Sequence, residues 1–266
     1  MRRRLARSIP PLLAAVLLAG PATADEPPRV VASIAPVHSL VAAVVGDLAQ
    51  PHLLVPPGRS PHTYSLAPSD ARALTEADVV VMAGGATDRF LERPLASLAG
   101  DAARVALLGL PDARRLPARG GGAWAHGADG AGDGHEHEQA HEHGETDPHA
   151  WLDPRNGAAL ARAVARELAR LDPANAARYR ANAAAVTRRL ETLDAALAEQ
   201  LAAVADRPYL VFHDAYQYFE RRYDLAAAGS IVVDPGRPPG ARRVSELRER
   251  VAAEDVRCLF VEPQFE

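Results

Sequence analysis

Three shortages in the sequence, of cysteine, of long apolar runs and of positive charge, narrow the classes of protein to which it can belong. Cys258 is the single cysteine of the 266 residues. Its thiol is therefore either free and buried, or it is missing the cysteine with which it would form a disulfide. No apolar run reaches the roughly 20 residues that cross a bilayer as a helix. Lysine is absent, and thirty arginines stand against thirty-four acidic residues. This negative balance argues against nucleic acid or an anionic membrane as the main partner.

The first 24 residues have the pattern of a secretory signal peptide. Four arginines precede an apolar run over 9–18, and Ala22-Thr23-Ala24 supplies a small-residue cleavage site. The run is about half of a membrane span, and no cysteine stands at the cleavage site, so an anchor and a lipoprotein are both disfavoured. We expect a periplasmic protein that begins near Asp25.

From Val30 onwards the sequence predicts an α/β protein. Short β-branched runs alternate with helical patterns, which is typical of βαβ units and mostly parallel sheets. The predicted strands are 30–34, 52–55, 79–82, 105–108, 209–212, 230–233 and 258–261. The predicted helices include 37–45, 70–77, 158–171 and 246–253, with Ser69 and Ser245 as N-caps of the second and fourth.

One longer helix, 172–205, is predicted between two groups of βα units. Asp172 and Pro173 provide an N-cap and a first-turn proline, and apolar residues then recur at steps of three and four up to Pro208. We therefore expect an N-terminal lobe over 25–171, a rigid bridging helix, and a C-terminal lobe over 206–266. The second lobe is small and ends directly after its last strand, so we expect a C-terminal truncation.

The segment 120–145 differs from both lobes because it contains almost nothing apolar to bury. It is rich in glycine, alanine, acidic residues and histidine. This composition predicts a disordered surface loop.

Three of the ten histidines occupy positions that favour a binding site. His62 follows a proline- and glycine-rich turn after a strand, His149 lies between two Asp-Pro pairs, and His213 ends a strand. Open α/β sheets bind ligands beside the carboxyl ends of their strands, which is where these residues are expected to meet. His38 and His52 lie inside a helix and a strand, and we interpret both as structural.

Three converging imidazoles would form a nitrogen site that suits zinc and other late transition metals better than calcium or magnesium. They leave the +2 charge uncompensated, so a fourth ligand from a carboxylate or water is expected. Asp147, Asp153 and Asp214 could instead orient an imidazole through its second nitrogen.

Four segments in order resemble signatures of the zinc-binding proteins of bacterial ABC importers, the ZnuA type. They are Gly58-Arg59-Ser60-Pro61-His62-Thr63-Tyr64-Ser65-Leu66-Ala67-Pro68-Ser69-Asp70, the stretch 147–154, the stretch 211–219, and Val261-Glu262-Pro263-Gln264-Phe265. The resemblance implies two βα lobes bridged by a long helix, with the metal ion in the cleft between them. It implies His62, His149 and His213 as metal ligands, and histidine in place of a carboxylate at His213 favours zinc over manganese.

The resemblance also implies features beyond the three ligands. Relatives often take a fourth, acidic ligand from a later segment than this chain reaches, and the same segment can hold a partner for the residue at Cys258. Glu262 is a conceivable substitute ligand, although a strand-end role is the simpler interpretation. The loop histidines either capture zinc weakly or belong to a solvated spacer; they are His135, His137, His141 and His143.

The function implied by the resemblance is capture of Zn²⁺ and its delivery to an ABC permease in the inner membrane. We expect a monomer that is not an enzyme. Binding of manganese or another divalent metal within the same importer class is the nearest alternative. A zinc hydrolase lacks a recognisable general base or nucleophile motif here. An adhesin or a metallochaperone that lends zinc to other exported proteins is the remaining class.

Overall fold

The structure, a computed structural model, describes residues 26–119, 146–232 and 239–265. The predicted signal peptide, the histidine-rich loop and the last residue of the predicted strand 230–233 lie outside this part of the chain. Within it, no helix is both long and apolar enough to span a membrane. The strands are β1 (Val30–Ile34), β2 (His52–Val55), β3 (Val79–Met82), β4 (Ala103–Ala106), β5 (Tyr209–His213), β6 (Ala227–Val232) and β7 (Cys258–Phe260). The α-helices are α1 (Ala35–Val45), α2 (Pro68–Thr75), α3 (Glu92–Leu98), α4 (Pro154–Leu171), α5 (Ala176–Ala202), α6 (Gln217–Tyr223) and α7 (Ala241–Ala253).

The N-terminal lobe is built on a four-stranded parallel sheet in the order β2-β1-β3-β4. Every residue of the two central strands β1 and β3 is buried. Successive residues of β1 face opposite sides: Val30 and Ala32 join one apolar cluster, and Val31 joins another. Burial on both faces explains why these strands are continuous apolar runs in the sequence.

The C-terminal lobe has a three-stranded parallel sheet in the order β6-β5-β7 and a much smaller core. The buried members of this core are Leu210, Ala228 and Leu247. The whole of β7 is exposed, including the free Cys258, so of the two alternatives for this thiol the buried one was wrong. Two parallel sheets joined through a long helix confirm the predicted fold class.

The long helix α5 packs on the N-terminal lobe through its first part. Its four buried residues are Ala176, Tyr179, Ala183 and Val186, all within the first eleven positions of 27. At 1.5 Å per residue the helix is about 40 Å long, so its remaining turns extend beyond the core that anchors it. It is shorter than the predicted 172–205, because Pro173–Asn175 form a 3₁₀ turn in which the Asp172 side chain accepts from the Asn175 N–H.

Other predicted boundaries shift for local reasons. The β4 strand ends at Ala106, not at 108, because Leu107 begins a 3₁₀ turn. The predicted N-caps Ser69 and Ser245 were wrong, since both lie inside helices that begin earlier. At α2, the backbone N–H of Ala67 donates instead to Asp70 Oδ2 at 2.8 Å.

Candidate metal centre

The three candidate histidines come from three separate places in the fold. His62 lies in a 3₁₀ turn, Pro61–Thr63, shortly after β2. His149 stands immediately before another 3₁₀ turn, Ala150–Leu152, and His213 is the last residue of β5. His62 and His149 therefore belong to the N-terminal lobe, and His213 belongs to the C-terminal lobe.

The three imidazole rings meet in the cleft between the lobes. Their ring centroids are 5.9 Å apart for His62 and His149, 5.3 Å for His62 and His213, and 4.9 Å for His149 and His213. One nitrogen of each ring lies within 4.8 Å of one nitrogen of the other two. Two nitrogens that share a zinc ion at 2.0–2.1 Å are at most about 4.2 Å apart. Shifts of about 1 Å or less would therefore bring all three rings onto one ion.

A cavity of about 300 Å³ opens at this point and takes walls from both lobes. It is lined by the turn after β2, by the three histidines and by the segment after β7, including Glu262 and Phe265. His149 and His213 are 5% and 4% exposed, so an ion held here would be largely shielded from water.

His149 is held by the carboxylate of Asp147. Asp147 Oδ1 accepts from the His149 backbone N–H at 3.0 Å and lies 2.8 Å from Nδ1 of the ring. Nε2 of the same ring is buried and has no hydrogen-bond partner among the described residues. A buried nitrogen without a partner costs free energy, and a metal ion in the cleft would compensate it. This is the arrangement expected of a ligand histidine oriented through its second nitrogen.

Asp147 is in turn held by α6 of the opposite lobe. The Tyr218 hydroxyl donates to the backbone oxygen of Asp147 at 3.0 Å and accepts from the Leu116 N–H at 2.9 Å. With its amide nitrogen facing the acceptors, Gln217 donates to Asp147 Oδ2 at 2.8 Å and to the Pro117 oxygen at 3.1 Å. The orientation of His149 therefore depends on contacts between the lobes.

A buried ion-pair cluster lies beside His213, and we call it the Arg119 cluster: Arg119, Asp214 and Glu220. The guanidinium donates to Asp214 Oδ1 and, at 2.6 Å, to Glu220 Oε2. Burial raises the pKa of both carboxyl groups, with Arg119 opposing the shift. Burial alone would lower the pKa of Arg119, but the two carboxylates raise it above its ordinary value. The cluster joins the N-terminal lobe to the strand end that carries His213.

The remaining predicted residues have other partners. Asp153 caps α4 by accepting from the Arg155 N–H, and Asp214 pairs with Arg119, so of the three candidate orienting aspartates only Asp147 contacts one of the three histidines. His38 Nε2 lies 3.0 Å from the Pro51 oxygen, and His52 Nε2 lies 3.1 Å from Asp70 Oδ1. The loop histidines at 135, 137, 141 and 143 lie outside the described residues.

Sequence reasoning missed several residues around the centre. Arg119 lies outside every quoted motif, whereas Gln217 and Tyr218 lie inside the signature stretch 211–219. No local pattern assigned a role to any of the three, because their roles depend on contacts between residues far apart in the chain. Two aromatic neighbours were also missed. The ring centroids of Trp151 and His149 are 5.3 Å apart, and those of Phe265 and His213 are 5.6 Å apart. Both lie inside the quoted signature segments, which was the available signal.

The donor set fits a borderline-soft divalent cation. Three neutral imidazoles suit zinc, copper or nickel, whereas calcium and magnesium prefer six or more oxygens. Three histidines and one further position are a known coordination of zinc. The geometry and the donors are therefore consistent with one late transition-metal ion.

The chain matches a known family over nearly all of its described length. The family described as zinc-uptake complex component A, periplasmic (ZnuA), matches residues 30–266. The high-affinity zinc uptake system protein ZnuA of Brucella abortus (strain 2308) is 41% identical over 280 residues, covering 96% of this chain and 83% of that protein. Its counterpart in Yersinia pestis is 34% identical and covers 96% and 81%. The chain belongs to the ZnuA family.

Solved structures agree with this assignment. A crystal structure of ZnuA superposes with a TM-score of 0.71 at 28% identity, covering 90% of this chain and 84% of that one. The periplasmic zinc-binding protein TroA from Treponema pallidum superposes with a TM-score of 0.75 at 22% identity, covering 90% and 79%, which shows the shared fold. The family is described as a component of zinc uptake and not as an enzyme, so the hydrolase alternative has no support.

Proposed function

We propose that this member of the ZnuA family captures Zn²⁺ between its two lobes and delivers it to an ABC permease. His62, His149 and His213 are the proposed ligands. The observation that carries the proposal is the meeting of one nitrogen from each ring within 4.8 Å, although the residues are far apart in sequence and belong to different lobes. The names of the relatives, high-affinity zinc uptake system proteins, support zinc as the transported ion.

Capture and release follow from this arrangement without any chemical turnover. Because one ligand comes from the C-terminal lobe, binding draws the lobes together, and separation of the lobes removes one of three ligands. The permease would favour release by stabilising the separated state. We further propose that the protein works as a monomer in the periplasm, after removal of residues 1–24.

The proposed site predicts that zinc binding weakens in acid. A metal ion binds the neutral imidazole, and free imidazole side chains take up a proton near pH 6.5. Three protons would compete with one ion, so the zinc affinity should fall steeply as the pH drops from 7 to 5.

Calorimetric titration of residues 25–266 with Zn²⁺ tests the proposal. We expect one tight phase, which the triple variant His62→Ala, His149→Ala, His213→Ala loses while it keeps the circular dichroism spectrum of the parent. A parallel titration with Mn²⁺ should be much weaker. A matched variant, His38→Ala, changes an imidazole outside the centre and should keep the tight phase.

The same titration separates the cleft from the histidine-rich loop. Deletion of 120–145 should leave the tight phase in place and remove at most a weaker one, because ordering a glycine-rich segment opposes binding. Loss of the tight phase on loop deletion alone would move the function to the loop and contradict the proposal.

A further inference from the structure

The segment after β7 returns to the metal centre and brings a carboxylate to His213. Glu262 Oε2 lies 3.4 Å from Nδ1 of the His213 ring. The Glu262 side chain is 10% exposed, and Gln264 Nε2 donates to the same oxygen at 2.8 Å. The rings of Phe265 and His213 form a T-shaped pair, with their centroids 5.6 Å apart. Two side chains of this short segment, Glu262 and Phe265, therefore contact His213, and a third, Gln264, donates a hydrogen bond to Glu262.

This contact repeats the arrangement at His149. There, Asp147 Oδ1 faces Nδ1 and leaves Nε2 directed away from the carboxylate. At His213, a carboxylate again faces Nδ1. An imidazole whose Nδ1–H donates to a carboxylate presents a lone pair on Nε2, and this nitrogen is then free to bind a metal ion.

The geometry favours an indirect role for Glu262 over direct coordination. Within the described residues, the group of side-chain atoms close enough to share an ion consists of the three histidines and no carboxylate. Glu262 Oε1 is buried and has no hydrogen-bond partner in that part of the chain. A buried carboxylate is costly unless a positive charge lies near it, and a divalent ion one imidazole away would supply that charge.

We infer that Glu262 is a positioning residue for His213: it holds the ring in the form protonated at Nδ1, directs Nε2 to the ion, and is itself held by Gln264. The inference rests on the proposed function, because it assigns a role within the same metal centre. It also means that each lobe orients one of its ligand histidines in the same way, with a carboxylate on Nδ1: Asp147 for His149 and Glu262 for His213.

Two substitutions distinguish orientation from charge. Glu262→Ala removes the acceptor and should weaken zinc affinity about 10- to 100-fold, the range expected for loss of an outer partner of a ligand histidine. Glu262→Gln keeps an oxygen that can accept from Nδ1–H and should recover most of that loss. Glu249→Ala, an exposed carboxylate of α7, is the matched control and should bind as the parent does. Affinity is measured by competition with a chromophoric chelator, and Co²⁺ absorption reports the geometry of the centre.

A double-mutant cycle with His213→Ala keeps the test decisive if Glu262→Ala also loosens the fold. Glu262→Ala should lower the zinc affinity of the parent protein but should not lower it further in His213→Ala. Likewise, Glu262→Ala should change the Co²⁺ spectrum of the parent protein but not that of His213→Ala. An unchanged affinity and spectrum in Glu262→Ala would overturn the inference. A loss in Glu262→Gln as large as in Glu262→Ala would overturn it as well, because charge and not orientation would then matter.

Failure of the inference is distinguishable from failure of the proposed function. If the parent protein binds Zn²⁺ no better than the triple histidine variant, the metal centre itself is wrong. If the parent binds tightly and Glu262→Ala binds equally well, only the role of Glu262 is wrong.

Discussion

The two lobes contribute to one proposed metal centre but are stabilised in different ways. The N-terminal sheet has buried strands and apolar clusters on both faces, and its helices α1, α4 and α5 cover one of them. Among the described residues, the separate apolar cluster of the C-terminal lobe has three buried members, and the strand β7 of that lobe is exposed. His62 and His149 are therefore carried by the lobe with the large core, whereas His213 is carried by a strand of the lobe with the small core.

Charged contacts supplement the small apolar core around His213. The Arg119 cluster joins the end of β5 to the N-terminal lobe, and Glu262 approaches the ring from the other side. Charged contacts hold specific atoms at specific distances, but they contribute to stability only while every partner is present. The C-terminal ligand should therefore be more sensitive to single polar substitutions, and the N-terminal ligands to loss of core volume.

The largest effect is expected from Arg119→Met. This change leaves Asp214 and Glu220 buried without their cation, which typically costs about 3–5 kcal/mol of unfolding free energy. Urea unfolding at pH 7 measures the loss. Arg170→Met is the matched control, since Arg170 pairs with Glu167 on the exposed face of α4 and should have little effect.

The same variant should show a defined pH dependence. Burial already raises the pKa of Asp214 and Glu220, and removal of Arg119 raises it further. The folded state then binds more protons than the unfolded state, so its stability is retained below about pH 4 and falls as the pH rises through the raised values. The deficit relative to the parent should be smaller at pH 4 than at pH 7. An equal deficit at both values would show that lost packing, and not unpaired charge, is responsible.

A pair of leucine truncations tests the difference in cores directly. Leu160, on α4, is 0% exposed within the large cluster, and Leu247, on α7, is 5% exposed in the small one. Leu160→Ala should cost about 3–4 kcal/mol, and Leu247→Ala about 2 kcal/mol, because a sparse core can collapse around the missing atoms. Chemical unfolding of both variants gives the comparison. A larger loss of unfolding free energy in Leu247→Ala than in Leu160→Ala would contradict the conclusion that the N-terminal lobe has the more tightly packed core.

The parts of the molecule that sequence predicted well are those decided by local pattern. Strands 30–34, 52–55 and 79–82 coincide with β1, β2 and β3, because each is a short apolar run in a sheet buried on both faces. The end of β2, the end of the predicted strand 209–212 and the proline-containing turns also indicated where the three histidines belong. What no local pattern could show was that the rings meet, and this depended on the family resemblance.

The parts that sequence did not predict depend on distant contacts. Arg119 is an ordinary arginine in the sequence, and its two carboxylate partners are about a hundred residues away. Helix starts were misplaced by choosing the serines Ser69 and Ser245, although α2 and α7 begin earlier after Ala67 and Gly240, with no side-chain cap. A cap residue indicates that a helix can begin, and packing decides where it does begin.

A smaller effect is expected from Tyr218→Phe. The hydroxyl is shared by the Leu116 N–H and the Asp147 oxygen, and the side chain is 1% exposed. Its loss leaves one buried and one partly buried backbone group without this partner, at a cost of about 1–3 kcal/mol. Tyr223→Phe is the control, because it removes one bond to a partly exposed carboxylate and should cost less. If urea unfolding gives equal losses for Tyr218→Phe and Tyr223→Phe, the Tyr218 hydroxyl contributes no more to stability than a hydrogen bond to a partly exposed carboxylate.

The smallest effect is expected at the far end of α5, where polar contacts replace the core that anchors its beginning. Asp194 accepts from Arg222 Nε at 2.8 Å and from the Tyr223 hydroxyl at 3.0 Å, which ties the helix to α6. The hydrogen bond from Arg222 is the main reason that the pKa of Asp194 lies below its ordinary value. Asp194→Asn should therefore cost about 1 kcal/mol at pH 7.

The pH dependence of this last variant has the opposite sign to that of Arg119→Met. A lowered pKa in the folded state means that Asp194 contributes above the unfolded value, near 4, and loses its contribution as the pH falls through the folded value. The difference in unfolding free energy between the parent and Asp194→Asn should therefore shrink below pH 4. Urea unfolding of both proteins at several pH values measures it. Glu191→Gln, exposed one turn earlier on the same helix, controls for the general effect of removing a charge. A difference of the same size at pH 3 as at pH 7 would mean that the anchoring of α5 does not depend on this ion pair.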